Sequence, residues 1–270
     1  MSTFITRMTT TGAGLRLAVK DLIDMVGLPT TAGCAAVAGD AEPAARDAAC
    51  MAGSRVAEEA GEVRVVGKAN LHELAFGASG INKAFGTPVN PLDGSRVPGG
   101  SSSGSAVSVA GDEADVAFGS DTGGSVRIPS ACCGTAGLKT THGRVSLEGV
   151  WPLATSLDTI GPMARDVAGL VAGMRLLEPG FEAATSVPTM IGRVRATGDV
   201  DPEIDGAVDG ALAAVGCGVV EVELPGWGGA YVAGGTILVS EAAAAVGHLL
   251  EQRERLGHDV AARLEMGRSI

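Results

Sequence analysis

Two glycine–serine segments and one lysine are the residues whose types and spacing can do chemistry. Pro98-Gly99-Gly100-Ser101-Ser102-Ser103-Gly104-Ser105 and Gly119-Ser120-Asp121-Thr122-Gly123-Gly124-Ser125-Val126-Arg127 both offer hydroxyls on glycine-rich backbone. Lys20 closes an apolar run in Val19-Lys20-Asp21. A glycine-rich turn lets several peptide N–H groups converge on one point, as phosphate loops and oxyanion holes both require. Phosphate binding fits poorly, because neither stretch continues as GK[ST] or matches GxGxxG followed by a distant acidic residue. A serine–histidine triad fits poorly too: there is no GxSxG, and His72, His142, His248 and His258 stand in no triad context. A serine nucleophile still needs a base, and a lysine kept neutral by desolvation supplies one. Lys20 is that candidate, although taken locally it also reads as an ordinary snorkelling lysine, and the Gly-Ser clusters as plain loops.

The elements that must position these residues follow from periodicity. Residues 15–20 (LRLAVK) alternate and predict a strand ending at Lys20. Residues 43–60 are Ala-rich behind a proline, a helix-start signal. Residues 62–66 (EVRVV) predict a buried strand, and a short helix is expected around 70–76. Residues 77–100 form a long loop dense in Gly, Pro, Asn and Ser, a length usually tied to function. Helical spacing returns at 101–110, a short strand at 114–118 and a tight turn at 121–125. Residues 166–177 predict a helix capped by Asp166. Strand, helix and strand are then expected at 190–194, 204–215 and 219–224, and a last helix at 240–264. The second half carries no dense glycine–serine motif, which places the chemistry before about residue 165.

Composition narrows the class. Nearly half the residues are apolar and 19% are charged, so a folded globular protein is expected. The 41 glycines have no fixed period, which argues for a loop-rich α/β protein rather than collagen or linker. A net charge of −11 disfavours nucleic acid or an anionic membrane as partner. The N-terminal residues lack the apolar core of a signal peptide. The apolar stretch 227–250 carries Glu241 and reads as a packed helix preceded by a loop, not a membrane span. Five cysteines, without a CxxC pair or histidines at metal spacing, argue against disulfides or zinc and for the cytoplasm. Cys132 and Cys133 read as packing residues rather than nucleophiles, and His72 as a surface residue or a support to the site.

VKDLIDMVGLPTTAG, GKANLHELAFG, PGGSSSGSA, GSDTGGSVRIPSACCGTAGLKTTHGRV and LDTIGPMARDV occur in that order within residues 15–176. Together they resemble the amidase signature family, and the interval of 24 between Ser101 and Ser125 (125 − 101) agrees with it. The resemblance implies an α/β fold, a mixed, twisted central sheet flanked by helices on both faces, in one domain over residues 1–270. It implies Ser125 as nucleophile, Ser101 on a cis peptide as bridging serine, and Lys20 as base. The implied oxyanion hole is formed by the N–H groups of Thr122, Gly123, Gly124 and Ser125. Supporting roles fall to Ser102, near Ser101 or as a loop cap, and to Asp121 and Arg127, bracing the turn or touching substrate.

The implied reaction hydrolyses a small-molecule carboxamide to a carboxylate and ammonia or an amine through an acyl-enzyme, with no metal and no organic cofactor. Two rivals accompany it: the glutaminase-like component of a tRNA-dependent amidotransferase, and a truncated, inactive remnant. Ser103 stands where many members carry glycine. Residues 178–270 resemble the family only loosely and read as a shortened C-terminal part. An open sheet edge or apolar patch left there would favour a homodimer.

Overall fold

The computed structural model describes residues 3–196, 198 and 200–270. The chain divides into two compact units, one of residues 1–182 with 237–270 and one of residues 183–236.

The first unit is built on a six-stranded mixed sheet. Its strands are β1 (Phe4–Arg7), β2 (Leu15–Lys20), β3 (Val63–Ala69), β4 (Val116–Asp121), β5 (Ala136–Gly137) and β6 (Thr159–Ala164), in spatial order β1-β3-β2-β4-β6-β5. The central strands β3, β2 and β4 run parallel, while β1, β6 and β5 are antiparallel to their neighbours. Strand alternation divides the core between two faces. Leu17, Val19, Val65, Val116 and Phe118 join one apolar cluster, and Ala18, Ala69 and Ala117 join another with Ala106, Val107 and Val109.

The helices of this unit before residue 183 are α1 (Ala35–Ala38), α2 (Ala52–Glu59), α3 (Ser103–Ala110), α4 (Arg127–Cys133) and α5 (Val167–Leu177). The helix expected from residue 43 starts later, with a 3-10 turn at Ala49–Met51 leading into α2. Backbone bridges of Pro43 to Pro29 and Ala44 to Val26 take up the groups a helix would have used. Asp166 caps α5 by accepting the Gly169 N–H at 2.9 Å, as its sequence predicts. Around residues 70–76 only the 3-10 turn Glu73–Ala75 forms.

α3 carries the serine-rich segment and lies close to the backbone beside it. A Cβ at Gly104 would sit 2.4 Å from Thr3 O and 2.5 Å from both N and O of Asn70. Gly104→Ala is therefore expected to destabilise the fold by about 1–3 kcal/mol, despite alanine's better helix propensity. A urea-denaturation midpoint at or above that of the parent protein would show that α3 can lift off freely.

The second unit contains β7 (Met190–Val194), α6 (Pro202–Val215) and β8 (Gly218–Val222), with β7 and β8 parallel in register. Asp201 caps α6 through the Glu203 N–H. α7 (Trp227–Val246) starts in this unit and ends in the first. Where a loop was expected from Trp227 the chain is already helical. The helix expected over 240–264 is broken into the end of α7, a 3-10 stretch at Gly247–Arg255 and α8 (His258–Arg268). Gly247, Gly257 and the non-helical Gln252 mark the breaks. By length and composition the stretch Trp227–Arg255 could cross a bilayer. However, Ala242, Val246 and Leu249 lie in the first unit's core, and Glu251, Arg253, Glu254 and Arg255 occupy its last turns.

Candidate active site

Lys20 ends β2 in the middle of the sheet and is completely buried. Its Nζ donates to Ser101 Oγ at 2.6 Å and to Ser120 Oγ at 2.8 Å. Burial lowers the pKa of Lys20 from 10.5 to about 7, against the opposing pull of Asp121 and Asp158. The lysine is thus half neutral near pH 7 and can accept a proton. The snorkelling alternative does not apply to a side chain with no route to solvent.

Ser101 follows a cis Gly100–Ser101 peptide and, like Ser102, is fully buried just ahead of α3. Ser102 Oγ donates to the Ser120 carbonyl at 3.2 Å, tying this turn to the end of β4. Ser102 N–H donates to the Ser125 carbonyl at 3.1 Å, which brings the two glycine–serine segments together. Ser125 itself is half-buried in the turn between β4 and α4. Among the described residues its hydroxyl makes no hydrogen bond, to Ser101 or to another group. Catalytic contacts commonly tighten only when substrate binds.

Asp121 organises that turn. Its carboxylate accepts from the N–H groups of Gly124 at 2.7 Å and Val126 at 3.1 Å, and from Arg127 Nε and Nη2 at 2.9 and 2.8 Å. Burial alone would raise its pKa; the Arg127 contacts and backbone N–H groups outweigh this and hold the carboxyl below its usual range. Asp121 and Arg127 thus hold each other and the backbone of the turn. Gly124 has φ +135°, a conformation that disfavours any residue with a Cβ. The Gly124 N–H, one of the four donors expected for an oxyanion hole, is donated to Asp121 in this structure.

Sequence reasoning missed two groups. Ser120 is the second acceptor for Lys20, and Asp158 accepts the Thr122 hydroxyl at 2.5 Å while holding the N–H groups of Leu153 and Ala154. Both lie inside the segments quoted above, but only the pairing of β4 with β6 brings Asp158 to Thr122. Cys133 is buried, with its thiol pushed up to about 12 by burial and donating to Pro98 O, so it packs rather than reacts. His72 is buried, not on the surface.

A family model described as Amidase matches residues 9–264. The A-type component of the glutamyl-tRNA(Gln) amidotransferase from Anaeromyxobacter dehalogenans is 39% identical over 234 residues, covering 78% of this chain and 46% of that protein. Its counterpart from Thermus thermophilus is 43% identical over 215 residues, covering 79% and 42%. Among solved structures, a crystal structure described as an amidase superposes with a TM-score of 0.84 at 35% identity, over 95% of this chain and 59% of that one. The native peptide amidase of Stenotrophomonas maltophilia gives a TM-score of 0.75 at 28% identity, over 93% and 61%. The chain spans about half the length of the curated relatives it matches.

Proposed function

The chain belongs to the Amidase family, and from that premise we propose that it hydrolyses a small-molecule carboxamide through Lys20, Ser101 and Ser125. The observation that carries this reading is the buried Lys20, its pKa brought to about 7, donating to Ser101 at 2.6 Å. In its neutral form Lys20 takes the Ser101 proton while Ser101 takes that of Ser125. Ser125 Oγ then bonds to the amide carbon, and the oxyanion is met by the N–H groups of Thr122, Gly123 and Ser125. The same relay returns the proton to the leaving nitrogen as the C–N bond breaks. Water, deprotonated by the relay, then splits the acyl-enzyme and releases the carboxylate. Every proton in this cycle moves between side chains of the chain itself, the substrate and water.

Labelling with a fluorophosphonate, read by intact mass and peptide mapping, tests the nucleophile. One adduct on Ser125, abolished in Ser125→Ala, is the expected result. A folded protein that takes up no probe would remove the hydrolase reading.

A second reading is favoured by the A-type amidotransferase components to which the chain is similar. On it, the same serine would release ammonia from glutamine within a complex. Glutamine hydrolysis that appears only when the other components of such a complex are added would select it over a free-standing amidase.

A further inference from the structure

Resting on the acyl-enzyme reading, we propose that α8 is a clamp that positions the bridging Ser101, with Asp259 and Arg263 as positioning residues. Neither touches the reacting groups. They act through the segment between β3 and the serine-rich turn, which grips the backbone on both sides of Ser101. His72 N–H donates to the Ser101 carbonyl at 2.9 Å, and Gly100 N–H donates to the Ala78 carbonyl at 2.7 Å. The two stretches of backbone are in close contact: a Cβ on Gly100 would lie 2.6 Å from Gly80 N and 2.9 Å from Gly77 O.

The gripping segment does not hold its own shape. Leu74 and Ala75 have φ of +53° and +57°, left-handed values that residues with a Cβ rarely adopt and that persist only where surroundings enforce them. The enforcing contacts come from α8 and the residue before it. His72 Nε2 hydrogen-bonds Asp259 Oδ2 at 3.1 Å, and Glu73 Oε2 accepts the Gly257 N–H at 2.6 Å. Arg263 Nη1 donates to Phe76 O at 2.7 Å and to Asp259 Oδ2 at 3.1 Å, with its guanidinium 5.8 Å from the Phe76 ring centroid. Residues 72 and 76 are thus held from α8 and residue 73 from Gly257 just before it, some 180 positions away in sequence. Two of these contacts bracket the left-handed pair, and the Asp259 contact is made by His72, the residue whose own N–H holds Ser101. Loosening the clamp lets the Ser101 hydroxyl drift from Lys20, and proton relay is sensitive to displacements of that order.

The test uses the full chain and the rate of fluorophosphonate labelling at Ser125, resolved into a binding constant and a maximal rate. Asp259→Ala and Arg263→Met alter half-exposed side chains and should leave folded proteins. Each is expected to lower the maximal labelling rate about tenfold with the binding constant unchanged, and Arg263→Lys should recover part of the loss by restoring a donor to Phe76 O. Arg253→Met breaks the separate pair between Arg253 of the 3-10 stretch and Glu265 of α8 and should label at the parental rate. Backbone amide exchange gives a readout free of chemistry, with the His72 N–H expected to lose protection in Asp259→Ala and Arg263→Met. Folded variants with parental labelling rates, or with an unchanged His72 amide, would overturn the clamp. A parent protein that fails to label would instead defeat the acyl-enzyme reading, and the exchange experiment would still decide the clamp.

Discussion

Lys20→Met is expected to lower kcat/KM for amide hydrolysis by about 10²–10⁴-fold, the usual contribution of a positioned general base. The parent's pH profile should identify the missing group. Lys20 can accept a proton only when neutral, and its pKa lies at about 7 because burial penalises the ammonium. Activity should therefore rise about tenfold per pH unit below 7 and level off above it. Residual activity in Lys20→Met should lack that limb. The same shift has a stability consequence with a fixed sign. Between about 7 and 10.5 the unfolded chain holds a proton on Lys20 that the folded chain has lost. Stability contributed by this group is complete above the unfolded value and is lost as pH falls toward the folded one. Across that window it should grow by up to about 1.4 kcal/mol per pH unit. Denaturant titrations at pH 7.5 and 9.5 should show that slope in the parent and not in Lys20→Met. A parent profile flat from mildly acid to alkaline pH would exclude Lys20 as the base.

What was legible in the sequence is what depends on neighbours along the chain. The alternation of LRLAVK places Lys20 at a strand end, the Asp166 cap begins α5, and the turn at 121–125 carries the serine between strand and helix. The family resemblance also located Ser101, 81 positions from the lysine it meets. Groups that matter only through distant contacts were not legible. Asp158 reaches Thr122 because β6 pairs with β4, and Asp259 reaches His72 across 187 positions. No local period encodes either meeting. The late start of α2 has the same origin, since Pro43 and Ala44 answer to residues 26–29 rather than to the alanines after them. Confining the chemistry to the residues before 165 was likewise a local reading, and the α8 contacts extend the support of Ser101 to the end of the chain.

Lys68→Ala is expected to cost about 3–5 kcal/mol of stability, because it leaves Asp21 as a buried carboxylate without its cation. The pair also bears on Lys20, whose pKa is lowered by burial although an aspartate follows it in the chain. Successive residues of an extended strand point to opposite faces, so Asp21 turns from Lys20 toward the side that Val19 occupies. Lys68 on β3 is the register partner of Val19, and its Nζ meets Asp21 Oδ1 at 3.0 Å with both side chains fully buried. The same Nζ donates to Ile23 O at 2.8 Å and Thr30 Oγ1 at 3.0 Å, and Thr31 donates to Asp21 Oδ2, so the loop after β2 closes around the pair. Burial raises the Asp21 pKa, against the pull of Lys68 and Thr31. Removing Lys68 takes away the largest of those opposing pulls and raises it further. A carboxyl whose folded pKa is raised contributes stability at low pH and loses it as pH climbs through the folded value. The deficit of Lys68→Ala should accordingly be smaller at pH 5 than at pH 8. The double variant Lys68→Met with Asp21→Asn should recover much of it, because no unpaired charge is then buried. A deficit independent of pH, with no recovery in the double variant, would show that Lys68 supports the loop through its backbone contacts alone and not by holding the Asp21 charge.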